Sequence, residues 1–217
     1  MTLNAWADIA IGAPLAVFFA MLLGMRAWPR ALVGLSLVSA VAVAIATWML
    51  ALNLPEGGFT SSVPWAVTDD FTVSFGFRLT GLSTAMACVV GTIHLLVQVY
   101  SVGYMADDPH KARFFGTLSL FATAMLGIVL SADLAQTFIA WELVGLASYL
   151  LIGFWNAKPA AAQAAKKAFI MTRFGDLGLF VGLALMVSRL GDLKIDTVLL
   201  AVEANTWEPG FVTAIGL

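Results

Sequence analysis

The chain has 217 residues, is 61% hydrophobic and only 11% charged, and carries a net charge of -2 with a mean hydropathy of +0.94. That apolar excess excludes an ordinary soluble domain, and the slightly negative charge argues against a nucleic-acid partner. One cysteine, Cys88, and two distant histidines, His94 and His110, leave no disulfide framework and no cysteine or histidine metal cluster.

The first apolar run covers about 7–25. No basic stretch precedes it, so it is expected to be a retained helix rather than a cleaved signal peptide. Further runs follow at about 31–53, 80–102, 114–132, 134–155 and 165–188. Each is long enough to cross a bilayer as a helix. The expected fold is therefore an all-α integral membrane protein with about six transmembrane helices. A seventh run starts at Phe211, and Leu217 is its last residue here.

Between the second and third runs, Leu54 to Leu79 contains Pro55, Gly57, Gly58 and Pro64. From Asp70 to Phe77 apolar and small residues then alternate, which predicts a short extramembrane hairpin or strand. The stretch from Gly191 to Pro209 is mixed and partly charged, as expected of an interfacial segment. Orientation follows from the basic residues. Connections after helices one, three and five hold Arg26, Arg30, Lys111, Arg113, Lys158, Lys166 and Lys167. The opposite connections hold Arg78, Arg189 and Lys194, so the N-terminus is expected outside.

Glu142 is the sole acidic residue strictly inside the apolar stretch Asp133 to Trp155. It lies nine residues past Asp133, roughly 13 Å along a helix at 1.5 Å per residue. A carboxylate at bilayer depth costs roughly 2.5–3.5 kcal/mol, and such residues mark ion or proton paths. The bland alternative is a structural glutamate bonded to a neighbouring helix. In the next helix Arg173 and Asp176 are three apart, so they share a face and can pair. That pair could be a structural staple, or it could adjust the proton affinity of Glu142.

Gly175, Gly178 and Gly182 form a stripe on which a helix can pack, and Gly145 with Ser148 suggests the same on helix five. His94 and Gln98, four apart, face one side of helix three, where they could hold water or join a proton wire. Lys166 and Lys167, at the cytoplasmic start of helix six, read as snorkelling anchors, with proton entry as the alternative. Trp141, Trp155 and Trp207 require only packing or interfacial roles.

The string Trp141-Glu142-Leu-Val-Gly145-Leu-Ala-Ser148-Tyr149-Leu-Leu-Ile-Gly153-Phe154-Trp155 is followed by Lys167-Ala-Phe-Ile-Met-Thr-Arg173-Phe-Gly175-Asp176. Together they closely resemble the antiporter-like subunit L of respiratory complex I, chain 5 of the mitochondrial enzyme. Phe75 to Ser83, Val99 to Met105 and Arg113-Phe114-Phe115 look like the same family, so the resemblance runs from about 60 to 190. The corresponding large subunit of the related multisubunit sodium/proton antiporters usually differs after its Trp-Glu and lacks the Arg-x-Gly-Asp string. One departure is Thr80, where the family usually has aspartate before Gly-Leu-Ser.

The resemblance implies a proton-translocating membrane subunit that couples quinone reduction elsewhere to pumping and binds no redox centre itself. NADH, FMN, iron–sulfur clusters and quinone would belong to partner subunits of a multisubunit NADH–quinone oxidoreductase, a translocase in a bacterial inner membrane. Glu142 would be the key carboxylate, working with a lysine on a broken helix seven, and Arg173 and Asp176 would match a charged pair in helix six. On this reading 1–112 is an N-terminal transmembrane region and 113–217 begins the antiporter-like core. Family members are several times longer, so the chain is expected to be one portion of such a subunit, with the option that a second polypeptide supplies the remaining helices. Alone it would not pump. The alternatives are a subunit of a cation/proton antiporter, membrane hydrogenase or inorganic-carbon uptake system, or a non-transporting assembly fragment.

Overall fold

The computed structural model describes residues 1–68, 71–204, 207 and 209–216. Helix α1 runs Leu3–Leu22, and a short 3-10 turn, Met25–Ala27, leads into α2, Pro29–Leu52. Strands β1, Phe59–Val67, and β2, Thr72–Leu79, precede α3, Gly81–Tyr104. Then come α4, Lys111–Val129, α5, Leu134–Ile152, and α6, Pro159–Leu190, followed by the short α7, Ile195–Glu203, and α8, Pro209–Gly216. Six helices, α1 to α6, are long and apolar enough to cross a membrane. The chain is a multi-pass membrane protein, with the expected six spans among the described residues.

Helix α4 is the most buried of the six and packs on α1, α3 and α5, with α2 beside α1 and α3. Close approach depends on small residues, as is usual between helices in lipid. Ala7 and Ala10 of α1, Ala46 of α2 and Ala87 of α3 are fully buried around Val43, Leu50 and Leu126. Among the long helices α6 packs chiefly on α5, leaving Phe174, Leu177, Phe180 and Val181 exposed. The small-residue stripe on α6 is mostly uncovered: among the described residues none would meet a Cβ at Gly175 or Gly178, and the Ile215 carbonyl lies near Gly182.

The predicted hairpin is present, and β1 and β2 are antiparallel. The strand expected from the alternation is β2, although Asp70 lies outside the described residues. Its partner β1 carries Pro64, and the register shifts between Pro64 and Ala66. Thr80 caps α3: its hydroxyl accepts from the Ser83 N–H at 3.2 Å, and the Ser83 hydroxyl accepts from the Thr80 N–H at 2.8 Å. A threonine therefore meets the capping requirement there.

The hairpin is locked to the rest of the bundle through its second strand. Asp133, fully buried at the N-cap of α5, accepts from Ala135 N–H at 2.8 Å and from Ser74 N–H of β2 at 3.0 Å. The Gln136 amide oxygen accepts from Gly76 N–H at 2.9 Å. The Arg78 N–H of β2 donates to Leu130 O, and its side-chain Nε meets Asp196 at 2.6 Å. Thr72 N–H donates to Gly191 O, so β2 bridges the α4–α5 and α6–α7 connections.

Two boundaries differ from expectation. Helix α6 begins at Pro159 rather than near 165, because proline fits the first helical position and Ala160 to Ala165 are helix formers of low hydropathy. It ends at Leu190 and is capped by Gly191, whose φ of 65° is the left-handed conformation glycine allows. The mixed stretch after it holds α7, with Asp196 in its first turn, where the helix dipole favours negative charge.

Candidate functional site

Helices α5 and α6 bring Glu142, Arg173 and Asp176 into one cluster. The Arg173 guanidinium forms an ion pair with the Glu142 carboxylate and lies 3.4 Å from an Asp176 carboxylate oxygen. Its Nη2 also donates to the Glu142 backbone carbonyl at 3.1 Å, and its plane stands 4.7 Å above the Phe169 ring. Asp176 accepts a 2.8 Å hydrogen bond from the Trp141 indole. The expected Arg173–Asp176 pair is thus present, and it extends across the helix interface to Glu142.

Gly145 makes this approach possible. A Cβ there would sit 3.3 Å from Arg173 Nη2, tighter than an ordinary contact, so any side chain at this position would make the guanidinium shift by a few tenths of an ångström. Two of the grooves at the contact reach Asp176. One, of about 540 Å³, is lined by Phe138, Glu142, Phe169, Arg173 and Asp176. The other, of about 390 Å³, is lined by Trp141, Gly145, Ser148, Thr172 and Asp176. Asp176 borders both.

One fixed cation is shared by two carboxylates. Arginine does not deprotonate, so the cluster carries one excess negative charge unless a carboxylate takes a proton or a cation arrives. At 4 Å and an effective dielectric of 20 a charge pair is worth about 4 kcal/mol, so protonating one carboxylate strongly biases the guanidinium towards the other. Such an arrangement can exchange a single positive charge with its surroundings and report the event through the position of Arg173.

His94 lies elsewhere. It is buried in α3, its Nε2 has no hydrogen-bond partner, and α3 packs on α2 and α4 rather than beside the α5–α6 cluster. One turn away, Gln98 accepts from Ser36 at 3.2 Å and donates to Ser119 at 3.2 Å, tying α2, α3 and α4 together. The structure therefore does not join His94 to Glu142.

Two residues at the cluster received no such role from the sequence. Trp141 needed only packing, but it orients Asp176; Gly145 suggested helix packing, but it admits Arg173. Their positions at i and i+4 put them on one face of α5, which is a signal the sequence holds only once the facing residues of α6 are known. Trp155 likewise donates to Asp108 at 3.0 Å.

Two family profiles match the chain. One, described as "NADH-Ubiquinone oxidoreductase (complex I), chain 5 N-terminus", covers residues 65–115. The other, described as "NADH:quinone oxidoreductase/Mrp antiporter, TM", covers 131–217. NADH-quinone oxidoreductase subunit L of Mycobacterium tuberculosis is 46% identical over 153 residues, covering 70% of this chain and 24% of that protein. NAD(P)H-quinone oxidoreductase chain 5 of a Picosynechococcus species is 46% identical over 138 residues, covering 64% of this chain and 21% of that protein. The chain thus spans less than a quarter of the length of these relatives. Among solved structures, the Mrp complex from a Dietzia species contains a chain with a TM-score of 0.80 and 25% identity, covering 96% of this chain and 22% of that one. An archaeal membrane-bound sulfane sulfur reductase shares the fold at a TM-score of 0.77 and 16% identity, covering 96% and 42%.

Proposed function

The chain belongs to the antiporter-like membrane-subunit family of NADH:quinone oxidoreductase, and we propose that it forms the N-terminal part of a proton-translocating subunit of that translocase. The observation that carries this reading is the sharing of Arg173 between Glu142 and Asp176 at the α5–α6 interface. Glu142 takes the proton. Arg173, released from it, moves fully onto Asp176, and the loss of the proton reverses the movement. Trp141 keeps one Asp176 oxygen occupied, so the carboxylate stays aimed at Arg173.

On this reading the redox chemistry runs in partner subunits that hold NADH, FMN, iron–sulfur clusters and quinone. This chain contributes none of it and feels it through displacement of charge or helices. The assembly sits in a bacterial inner membrane with the lysine- and arginine-rich connections in the cytoplasm.

The second reading is favoured by the likeness to a chain of the Dietzia Mrp complex. It places the same charge exchange in a cation/proton antiporter and dispenses with NADH. The test is Glu142→Gln in the assembled complex, reading protons moved per electron and assembly together. Loss of this subunit's share of pumping with assembly intact supports the proposal, and undiminished pumping contradicts it. Dependence of transport on a sodium gradient, without NADH, would shift the function to the antiporter reading.

A further inference from the structure

Away from the α5–α6 cluster, a second cavity of about 380 Å³ opens where α1 ends, α4 begins, α5 ends and α6 begins. Three cations from three separate segments line it: Arg26 after α1, Arg113 in the first turn of α4, and Lys166 near the start of α6. None is neutralised, since the ion pairs among the described residues are Arg78–Asp196, Arg173–Glu142, Arg173–Asp176 and Lys194–Asp192. Arg26 gives one N–H to the Met21 carbonyl at 3.3 Å, and Arg113 gives one to the Phe154 carbonyl. Each guanidinium has five donors, so both keep several free. In the adjoining α3–α4 connection the Asp108 carboxylate is already taken up by His110 N–H and the Trp155 indole. Phe18 and Leu150 give the same cavity apolar walls.

We infer that this cavity binds the phosphate of an anionic phospholipid headgroup, with Arg26, Arg113 and Lys166 around the phosphate and the acyl chains running down past Phe18 and Leu150. The ligand chemistry is a phosphate anion. The apolar wall and the position at the helix ends select a lipid over free phosphate, because basic pockets between transmembrane helices on the cytoplasmic side suit anionic headgroups. The inference is independent of the proton reading, since no residue is shared between the two sites.

The test uses the complete subunit in its complex, reconstituted in phosphatidylcholine with a trace of photoactivatable phosphatidylglycerol. After illumination the crosslinked peptides are mapped. Labelling is expected on the peptides around Arg26 and Lys166. It should fall at least roughly tenfold in the Arg26→Gln/Lys166→Gln double variant, the scale set by two interfacial cations. It should persist in Lys111→Gln/Lys158→Gln, which removes equal charge at the same end but outside the cavity. Lys166→Gln alone, on an exposed side chain, serves if the double variant fails to assemble, and should lower labelling severalfold. Equal labelling in the cavity and control variants would overturn the inference. So would equal labelling by a phosphatidylcholine probe, or competition by inorganic phosphate matching that of unlabelled phosphatidylglycerol, which would make it a free-phosphate site.

Discussion

Trp141 on α5 and Asp176 on α6 are joined by a 2.8 Å hydrogen bond from the indole Nε1 to one carboxylate oxygen, while the other oxygen faces Arg173 at 3.4 Å. Asp176 is thus held from two sides, by a neutral donor and by a cation. Glu142, next in sequence to Trp141, shares that same cation. Adjacent residues of α5 therefore act on one pair of α6, which ties the charge state of Glu142 to the placement of Asp176.

Replacing Trp141 with phenylalanine keeps most of the ring and removes the donor. Interhelical hydrogen bonds in membranes average about 0.6 kcal/mol, reaching about 1.7. The Trp141→Phe subunit should lose stability in that range by thermal unfolding in detergent. Its pumping should fall more than its stability, because Asp176 becomes free to capture Arg173 from Glu142. Unchanged pumping would mean that the indole only packs.

Gly145→Val should impair pumping without altering any charge. The new side chain meets the guanidinium, and overpacking costs about 1–3 kcal/mol. Gly145→Ala should have a smaller effect, since a few tenths of an ångström of movement relieves it. Equal activity of the valine variant and the parent would show that Arg173 does not need its present position.

Asp133 predicts a pH dependence. Burial pushes its carboxyl above its ordinary value of 3.8, with Asp192 adding to the rise and the Ser74 and Ala135 N–H groups opposing it. The folded state thus binds this proton more tightly than the unfolded state. Stability from this group is fully present below 3.8 and is lost as pH rises from there through the raised value. Asp133→Asn should abolish that slope. It should also loosen β2, because its amide turns a donor towards an N–H that the carboxylate accepts, at a cost of about 1–3 kcal/mol. Hydrogen exchange at Ser74 reads the second effect and unfolding midpoints across the acid range read the first.

Gln98→Leu should destabilise the α2–α3–α4 unit only modestly, by about 0.5–1.7 kcal/mol. The Ser119 hydroxyl donates to the Phe115 carbonyl at 2.9 Å, and the Ser36 hydroxyl can turn to the Val33 carbonyl, also 2.9 Å away, so neither is stranded. Pumping should be unaffected, as Gln98 and His94 lie outside the Glu142 cluster. A pumping defect at matched stability would put a second path through these helices.

What the sequence made legible follows from how local each signal was. The six spans announce themselves because lipid demands long apolar runs, and Glu142, Arg173 and Asp176 stand out against that background. The pairing of Arg173 with Asp176 follows from helical spacing alone. The contact from Glu142 to Arg173 is set by the α5–α6 interface, and the same is true of Trp141 to Asp176. Strand β1 was obscured by Pro64 and its irregular register, and the start of α6 by alanines and lysines that favour helix without raising hydropathy. The separation of His94 from the cluster depends on α3 packing against α2 and α4, which no periodicity reveals.

Glu142 takes up a proton and passes Arg173 to Asp176 in the mechanism proposed above. Infrared difference spectroscopy of the assembled complex, recorded between resting and turning-over states, follows that proton. A protonated-carboxyl C=O band is expected that vanishes in Glu142→Gln, shifts in Trp141→Phe and persists in His94→Gln. A band that survives Glu142→Gln unchanged would contradict it, and the proton would have to travel through another group.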